Sequence, residues 1–129
     1  MSRVLIVDDN PDVRESLGVV CDVWGYEVAT AADGGEALAL VAAFQPDVVL
    51  LDLGLPGELD GPEVARRIRD ADDHRVFIVA LTGWTQPQGR HDALGAGVDT
   101  IVLKPPDLED LQRTMALALI NQRSAPRRS

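Results

Sequence analysis

Four aliphatic runs, each closed by a polar side chain, constrain this chain more than any other feature. They are Val4–Val7, Val48–Leu51, Val76–Leu81 and Ile101–Leu103. A run that is apolar at every position, and not at every second one, suits a strand covered on both faces, as in a parallel sheet flanked by helices. A shorter run around Tyr26–Ala29 supplies a fifth strand. Between the runs, apolar residues recur at helical spacing: Val13, Leu17, Val20 or Cys21, and Trp24; Ala37, Leu40, Val41 and Phe44; Val64, Ile68 and their neighbours; Leu108, Leu111, Met115 and Leu119. Strict alternation of five strands and five helices predicts an α/β fold with helices on both faces of one parallel sheet.

Helix starts are marked. Asn10-Pro11 combines a capping side chain with proline in the first turn. Asp33 and Glu36 have capping-box spacing. Asp107 precedes Glu109 and Asp110, which suit the positive end of a helix. The weakest helix is the fourth, from Gln86 to Gly97, because Pro87, Gly89 and Gly95 fall inside it. Each interior glycine costs about 1 kcal/mol against alanine, so this helix is expected to be short and comparatively mobile.

Composition narrows the classes. The 129 residues form one domain by size, and 46% hydrophobic content is enough for a packed core. No apolar stretch nears the roughly 20 residues that span a bilayer, and no secretion signal is expected ahead of Val4. The single cysteine, Cys21, excludes an internal disulfide framework and a cysteine-based zinc site, and its place on an apolar helix face makes it a core residue. The formal charge of −9 argues against nucleic acid as a direct ligand and favours a cation or a basic partner. Residues 1–121 are expected to form the domain and 122–129, polar and basic, a flexible tail.

The polar residues that close the runs carry the functional signal. Asp8 and Asp9 follow the first run, Asp52 the second, Thr82 the third and Lys104 the fourth. All would lie at the carboxyl edge of the sheet, where open α/β folds bind ligands. With strand order 2-1-3-4-5, the first and third strands are neighbours, and the three aspartates converge. Two like charges about 4 Å apart repel by roughly 4 kcal/mol at an effective dielectric of 20. A hard divalent cation that prefers oxygen, such as Mg²⁺, relieves that repulsion. Lys104 adds a positive point charge and Thr82 a hydroxyl, so the set is suited to holding a phosphoryl group. One aspartate after a strand is usually a cap or a turn residue; five such groups at one edge are not explained that way.

The spaced motifs "VDD", "LLDL", "ALTG" and "LKP" closely resemble the receiver domain of two-component response regulators, over about residues 3–120. "DLGLPG" and "ALTGW" are most similar to receivers attached to hybrid histidine kinases. The resemblance implies a flavodoxin-like doubly wound (βα)5 fold with a five-stranded parallel sheet of order 2-1-3-4-5. It implies Asp52 as phosphoryl acceptor, and Mg²⁺ held by Asp9, Asp52 and the Gly54 backbone carbonyl, with Asp8 acting through water. Thr82 and Lys104 would meet phosphoryl oxygens, and the Lys104–Pro105 bond would be cis. The expected partners are a histidine kinase or a histidine phosphotransfer protein. A downstream protein would be met through the surface of the fourth helix, fifth strand and fifth helix. The resemblance further implies a cytoplasmic protein, monomeric or dimerising on phosphorylation, and not an enzyme in the ordinary sense. No output domain is visible after the fifth helix, so the chain would be either a single-domain regulator acting through protein contacts or a fragment of a larger protein.

Three departures from the family pattern stand out. Ile101 occupies the place of a usual aromatic that couples to Thr82, which puts the usual relay in question. "PGELDG" has one residue more than the commonest spacing, lengthening the loop beside Asp52. Trp84 lies two residues beyond Thr82 and Gly54 two beyond Asp52, positions that influence dephosphorylation in the family; the indole would either restrict entry of water or pack as a rim aromatic on the loop. Among other readings, a phosphohydrolase of the haloacid dehalogenase type needs an acid two residues after its nucleophile, where this chain has Gly54. A flavin-binding protein of similar topology needs a hydroxyl- and glycine-rich phosphate loop after its first strand, where this chain has carboxylates instead. A receiver reduced to a docking module would have lost residues that are all present here.

Overall fold

In the computed structural model, residues 2–72, 76–83 and 93–124 are described. Five strands form one sheet: β1 (Arg3–Val7), β2 (Glu27–Ala31), β3 (Val48–Asp52), β4 (Phe77–Thr82) and β5 (Thr100–Leu103). Their order is β2-β1-β3-β4-β5, and every neighbouring pair is parallel. Helices α1 (Pro11–Val23), α2 (Gly34–Phe44) and α3 (Gly61–Asp72), and a C-terminal helix (Leu108–Ser124), cover the two faces.

The continuous apolar runs have a direct physical reason. Successive side chains of a strand point to opposite faces, and each face here meets its own helices. Leu5, Val7, Val49, Leu51, Ile78 and Ala80 pack with Ala37 of α2 and Val64, Ala65 and Ile68 of α3. Val4, Ile6, Val48, Leu50, Val79 and Leu81 pack on the other face with Leu17 and Cys21 of α1 and Leu111, Met115 and Leu119 of the C-terminal helix. Burying one such aliphatic side chain is worth about 1.5–3 kcal/mol, so neither face of a central strand tolerates a polar residue. Charge is permitted only where the strands end.

The caps form as the sequence predicts. The Asn10 side chain accepts from the Asp12 and Val13 amides, Asp33 from Glu36, and Asp107 from Glu109 and Asp110. β2 runs through Glu27–Ala31, later than the run around Tyr26–Ala29 suggested. Tyr26 belongs to the turn that ends α1, where Gly25 has φ +93° and the Tyr26 amide bonds back to the Cys21 carbonyl. As an edge strand β2 buries only Ala31 fully and carries polar Glu27 and Thr30, so its apolar signal is weak and its limits are blurred in the sequence.

The C-terminal helix continues to Ser124, three residues into the segment expected to be tail. Residues 93–95 are helical, and the rest of the predicted fourth helix ahead of them, with Trp84, lies outside the described residues. No described helix is long and apolar enough to cross a membrane.

Candidate phosphoryl and cation site

The carboxyl edge of the sheet gathers the polar residues that close the strands. β1 ends at Val7, and the Asp8 amide still bonds across to the Ala31 carbonyl at 3.1 Å, so Asp8 leaves the sheet in a fixed direction. Asp8 is buried at 2% exposure, and each of its acceptors is engaged. Oδ1 accepts the Asn10 amide at 2.9 Å, Oδ2 the Lys104 ammonium at 2.7 Å, and the main-chain carbonyl the Arg14 guanidinium at 2.8 Å. Asp9, next in the chain, is exposed.

Asp52 is the last residue of β3, the strand beside β1, and is 7% exposed. Its Oδ1 accepts the Gly54 amide at 2.9 Å and lies 3.3 Å from the Lys104 ammonium. The neighbouring Leu53 amide is tied to the Leu81 carbonyl at 3.0 Å, which holds the start of the loop to β4. Carboxylate oxygens of Asp8, Asp9 and Asp52 all lie within 4.8 Å of one another. Thr82 ends β4, buried, and its carbonyl accepts the Lys104 amide at 2.8 Å. Lys104 follows β5, and the Lys104–Pro105 bond is cis.

The electrostatics follow from this crowding. Burial raises the Asp52 pKa above its ordinary 3.8, the Gly54 amide lowers it, the charge of Asp8 raises it and Lys104 lowers it, with a net upward shift. For Lys104, burial disfavours the ammonium, but its bond to Asp8 and the charges of Asp52 and Asp8 outweigh that, and its pKa is raised above 10.5. One ammonium thus serves two buried acids, with Asp9 beside them. The cluster is rich in negative charge and offers only hard oxygen donors, which fits a small divalent cation.

Several residues shape the site without advertising themselves in the sequence. A β-carbon on Gly61 would lie 2.5 Å from the Leu53 Cα and 2.7 Å from the Asp52 carbonyl oxygen, so the start of α3 rests directly on the backbone behind the acid. Arg14 reads in the sequence as a polar position on an amphipathic helix, and only the fold brings it to Asp8. Ile101 pairs with Ala80 in register and packs against the core cluster that contains Ala80 and Ile78. The longer loop after Asp52 is pinned at Leu55, which is buried, and at Leu59, which packs on the core, while residues 56–58 are exposed and Gly57 has φ +87°. The additional length therefore sits at the rim.

Known proteins agree with this geometry. The model of the response regulator receiver domain matches residues 4–116. The response regulator MprA of Mycolicibacterium vanbaalenii is 43% identical over 117 residues, covering 91% of this chain and 50% of that protein. The chain thus spans about half the length of the curated relatives it matches. Among solved structures, a CheY-like receiver domain protein from Methanospirillum hungatei superposes with a TM-score of 0.89 at 28% identity, covering 96% of this chain and 98% of that one. The chemotaxis protein CheY4 of Vibrio cholerae superposes with a TM-score of 0.85 at 32% identity, covering 92% and 98%.

Proposed function

Because the chain belongs to the response regulator receiver domain family, we propose that it accepts a phosphoryl group on Asp52 in a Mg²⁺-dependent reaction and signals through protein contacts. The donor is a phosphohistidine of a histidine kinase or a histidine phosphotransfer protein. The observation that carries this reading is the convergence of three aspartates from the ends of two neighbouring strands, with one lysine bonded to two of them.

Asp9, Asp52 and the Gly54 carbonyl are the groups that would hold Mg²⁺, with Asp8 acting through water. When bound, the cation supplies the positive charge that lets these acids ionise together and neutralises phosphoryl oxygens. The Asp52 carboxylate attacks phosphorus as the P–N bond to the donor imidazole breaks, and that bond's electron pair leaves with the imidazole. The product is an acyl phosphate. Lys104, already 3.3 Å from an Asp52 oxygen, is placed to follow the charge onto the phosphoryl group. The Thr82 hydroxyl and backbone amides after Asp52 and Thr82 are the remaining donors.

Loss of the group by attack of water returns the carboxylate and inorganic phosphate. The chain is thus no ordinary enzyme: it transfers to itself and resets itself. Gly54 offers no side chain to act as the acid a phosphohydrolase needs, and turnover of simple phosphomonoesters is not expected. We place the protein in the cytoplasm, where its donors are phosphorylated. The downstream protein would be met through β5, the helix that ends at residue 95 and the C-terminal helix.

The test uses a small acyl-phosphate donor in Mg²⁺, with intact mass as the readout. The wild type gains one phosphoryl group; Asp52→Asn and the chelator-treated wild type gain none. Incorporation in Asp52→Asn equal to wild type would remove Asp52 from this role.

A further inference from the structure

We infer that Arg14 is a positioning residue for the cation site: through the Asp8 carbonyl it holds the peptide that joins the two acids of the pair. The inference rests on the Mg²⁺ reading above and adds a residue to it.

Asp8 and Asp9 share one peptide group, and its oxygen is the Asp8 carbonyl. That oxygen lies past the end of β1, where strand pairing no longer supplies a donor, and the Arg14 guanidinium meets it at 2.8 Å. A peptide unit is planar. Fixing its oxygen therefore fixes the direction in which the chain enters Asp9, the exposed acid of the cluster. Asp8 itself is held by Ala31, Asn10 and Lys104, so the peptide to Asp9 is the joint that Arg14 closes. Arg14 sits on α1, whose first turn is fixed by Asn10 and Pro11. The guanidinium is thus anchored to a rigid element.

The two cations near the cluster divide the work. Lys104 bonds carboxylate oxygens of Asp8 and Asp52 directly. Arg14 bonds a main-chain oxygen and leaves the carboxylates available to a metal. Partners that orient metal ligands typically change affinity by about 10–100-fold when removed.

The sign of the effect separates positioning from bulk charge. A positive side chain near a cation site repels the cation, so deleting it for charge reasons alone would tighten Mg²⁺ binding. Deleting a positioning group weakens it. The experiment titrates Mg²⁺ into the wild type, Arg14→Met and Arg14→Lys, following amide chemical shifts of residues 8–10 and 54, and measures acyl-phosphate phosphorylation at saturating Mg²⁺. Arg14 is half-buried, and methionine keeps an apolar stem, so the fold is retained, as thermal unfolding checks.

We expect Kd for Mg²⁺ to rise about 10-fold in Arg14→Met, at the lower end of the range for orienting partners, and to recover in large part in Arg14→Lys. The saturated phosphorylation rate stays close to wild type. An unchanged or lower Kd in Arg14→Met overturns the inference while leaving the proposed function intact. No Mg²⁺ response in the wild type overturns the metal reading itself.

Discussion

Replacing Arg69 by methionine should cost about 3 kcal/mol of stability, although the residue lies away from the acidic cluster. Its side chain is 9% exposed at the end of α3. Nε donates to the Gly97 carbonyl at 2.8 Å, Nη1 to the Val76 carbonyl at 2.6 Å, and Nη2 to Asp99, which also accepts the Ile78 amide at 2.8 Å. One guanidinium therefore joins α3 to the residue before β4 and to the turn that leads into β5. Gly97 has φ +106°, and a β-carbon there would lie 2.5 Å from the Arg69 Cγ, so the turn and the arginine stem are fitted to each other.

Methionine fills much of the stem's volume but leaves the carbonyls without their charged donor. Hydrogen bonds to charged groups contribute about 1.5–3 kcal/mol each. Taking the lower figure for both carbonyls, because partial rehydration follows, gives about 3 kcal/mol. The ion pair adds little: Asp99 is 37% exposed, and such pairs are worth about 0.2–1 kcal/mol. With an unfolding entropy of about 2.1 cal/mol/K per residue, the loss lowers Tm by roughly 10 °C.

Urea and thermal unfolding followed by circular dichroism, with the urea m-value unchanged, measure the effect. A double-mutant cycle with Asp99→Asn then assigns it. The coupling energy should stay below about 1 kcal/mol, because the main chain carries most of the loss. A cost under about 1 kcal/mol for Arg69→Met, or a loss that vanishes in the Asp99→Asn background, would refute this reasoning.

Gly61→Ala should destabilise by about 1–3 kcal/mol, the range for overpacking, and should also slow acyl-phosphate phosphorylation, because the new methyl group displaces the backbone of Asp52 and Leu53. Normal phosphorylation in a folded Gly61→Ala variant would contradict that contact. Without metal, the raised Asp52 pKa means that the unfolded chain releases this proton first as pH climbs past 3.8, so stability falls until the folded-state pKa is passed. Asp52→Asn should therefore be more stable than wild type at neutral pH in chelator, and saturating Mg²⁺ should reverse the order; parallel stability–pH curves for the two proteins would exclude this. Cys21 is fully buried, with its thiol pushed up to about 11 by burial, so an aromatic disulfide reagent should react with it only at the rate of global opening. Rapid labelling of the native protein would show that α1 opens on its own.

Much of this molecule is local in its sequence. The continuous apolar runs of β1, β3 and β4 report strands buried on both faces because alternation divides their residues between two cores. The run of edge strand β5, by contrast, is only partly buried, and Leu103 is exposed. Asn10, Asp33 and Asp107 mark helix starts because a cap bonds amides two or three residues ahead. Asp8, Asp9, Asp52, Thr82 and Lys104 are legible as a set because charge is excluded from the strands and admitted at their ends. The fading of these signals is equally physical: β2, an edge strand with only Ala31 fully buried, carries a weak apolar signal and loses its limits, and the last helix runs past the point where its apolar spacing stops.

What the tertiary structure alone decided are contacts between residues far apart along the chain. Lys104 reaches an acid 96 positions away and bonds both Asp8 and Asp52, Arg69 meets partners 28 and 30 positions on, and Gly61 is required by a backbone it does not neighbour in sequence. Arg14 is nearer, yet its carbonyl partner is a main-chain atom, which every residue possesses and no side-chain pattern can mark. Periodicity records which way a side chain faces; which partner waits there depends on how strands and helices are brought together in three dimensions.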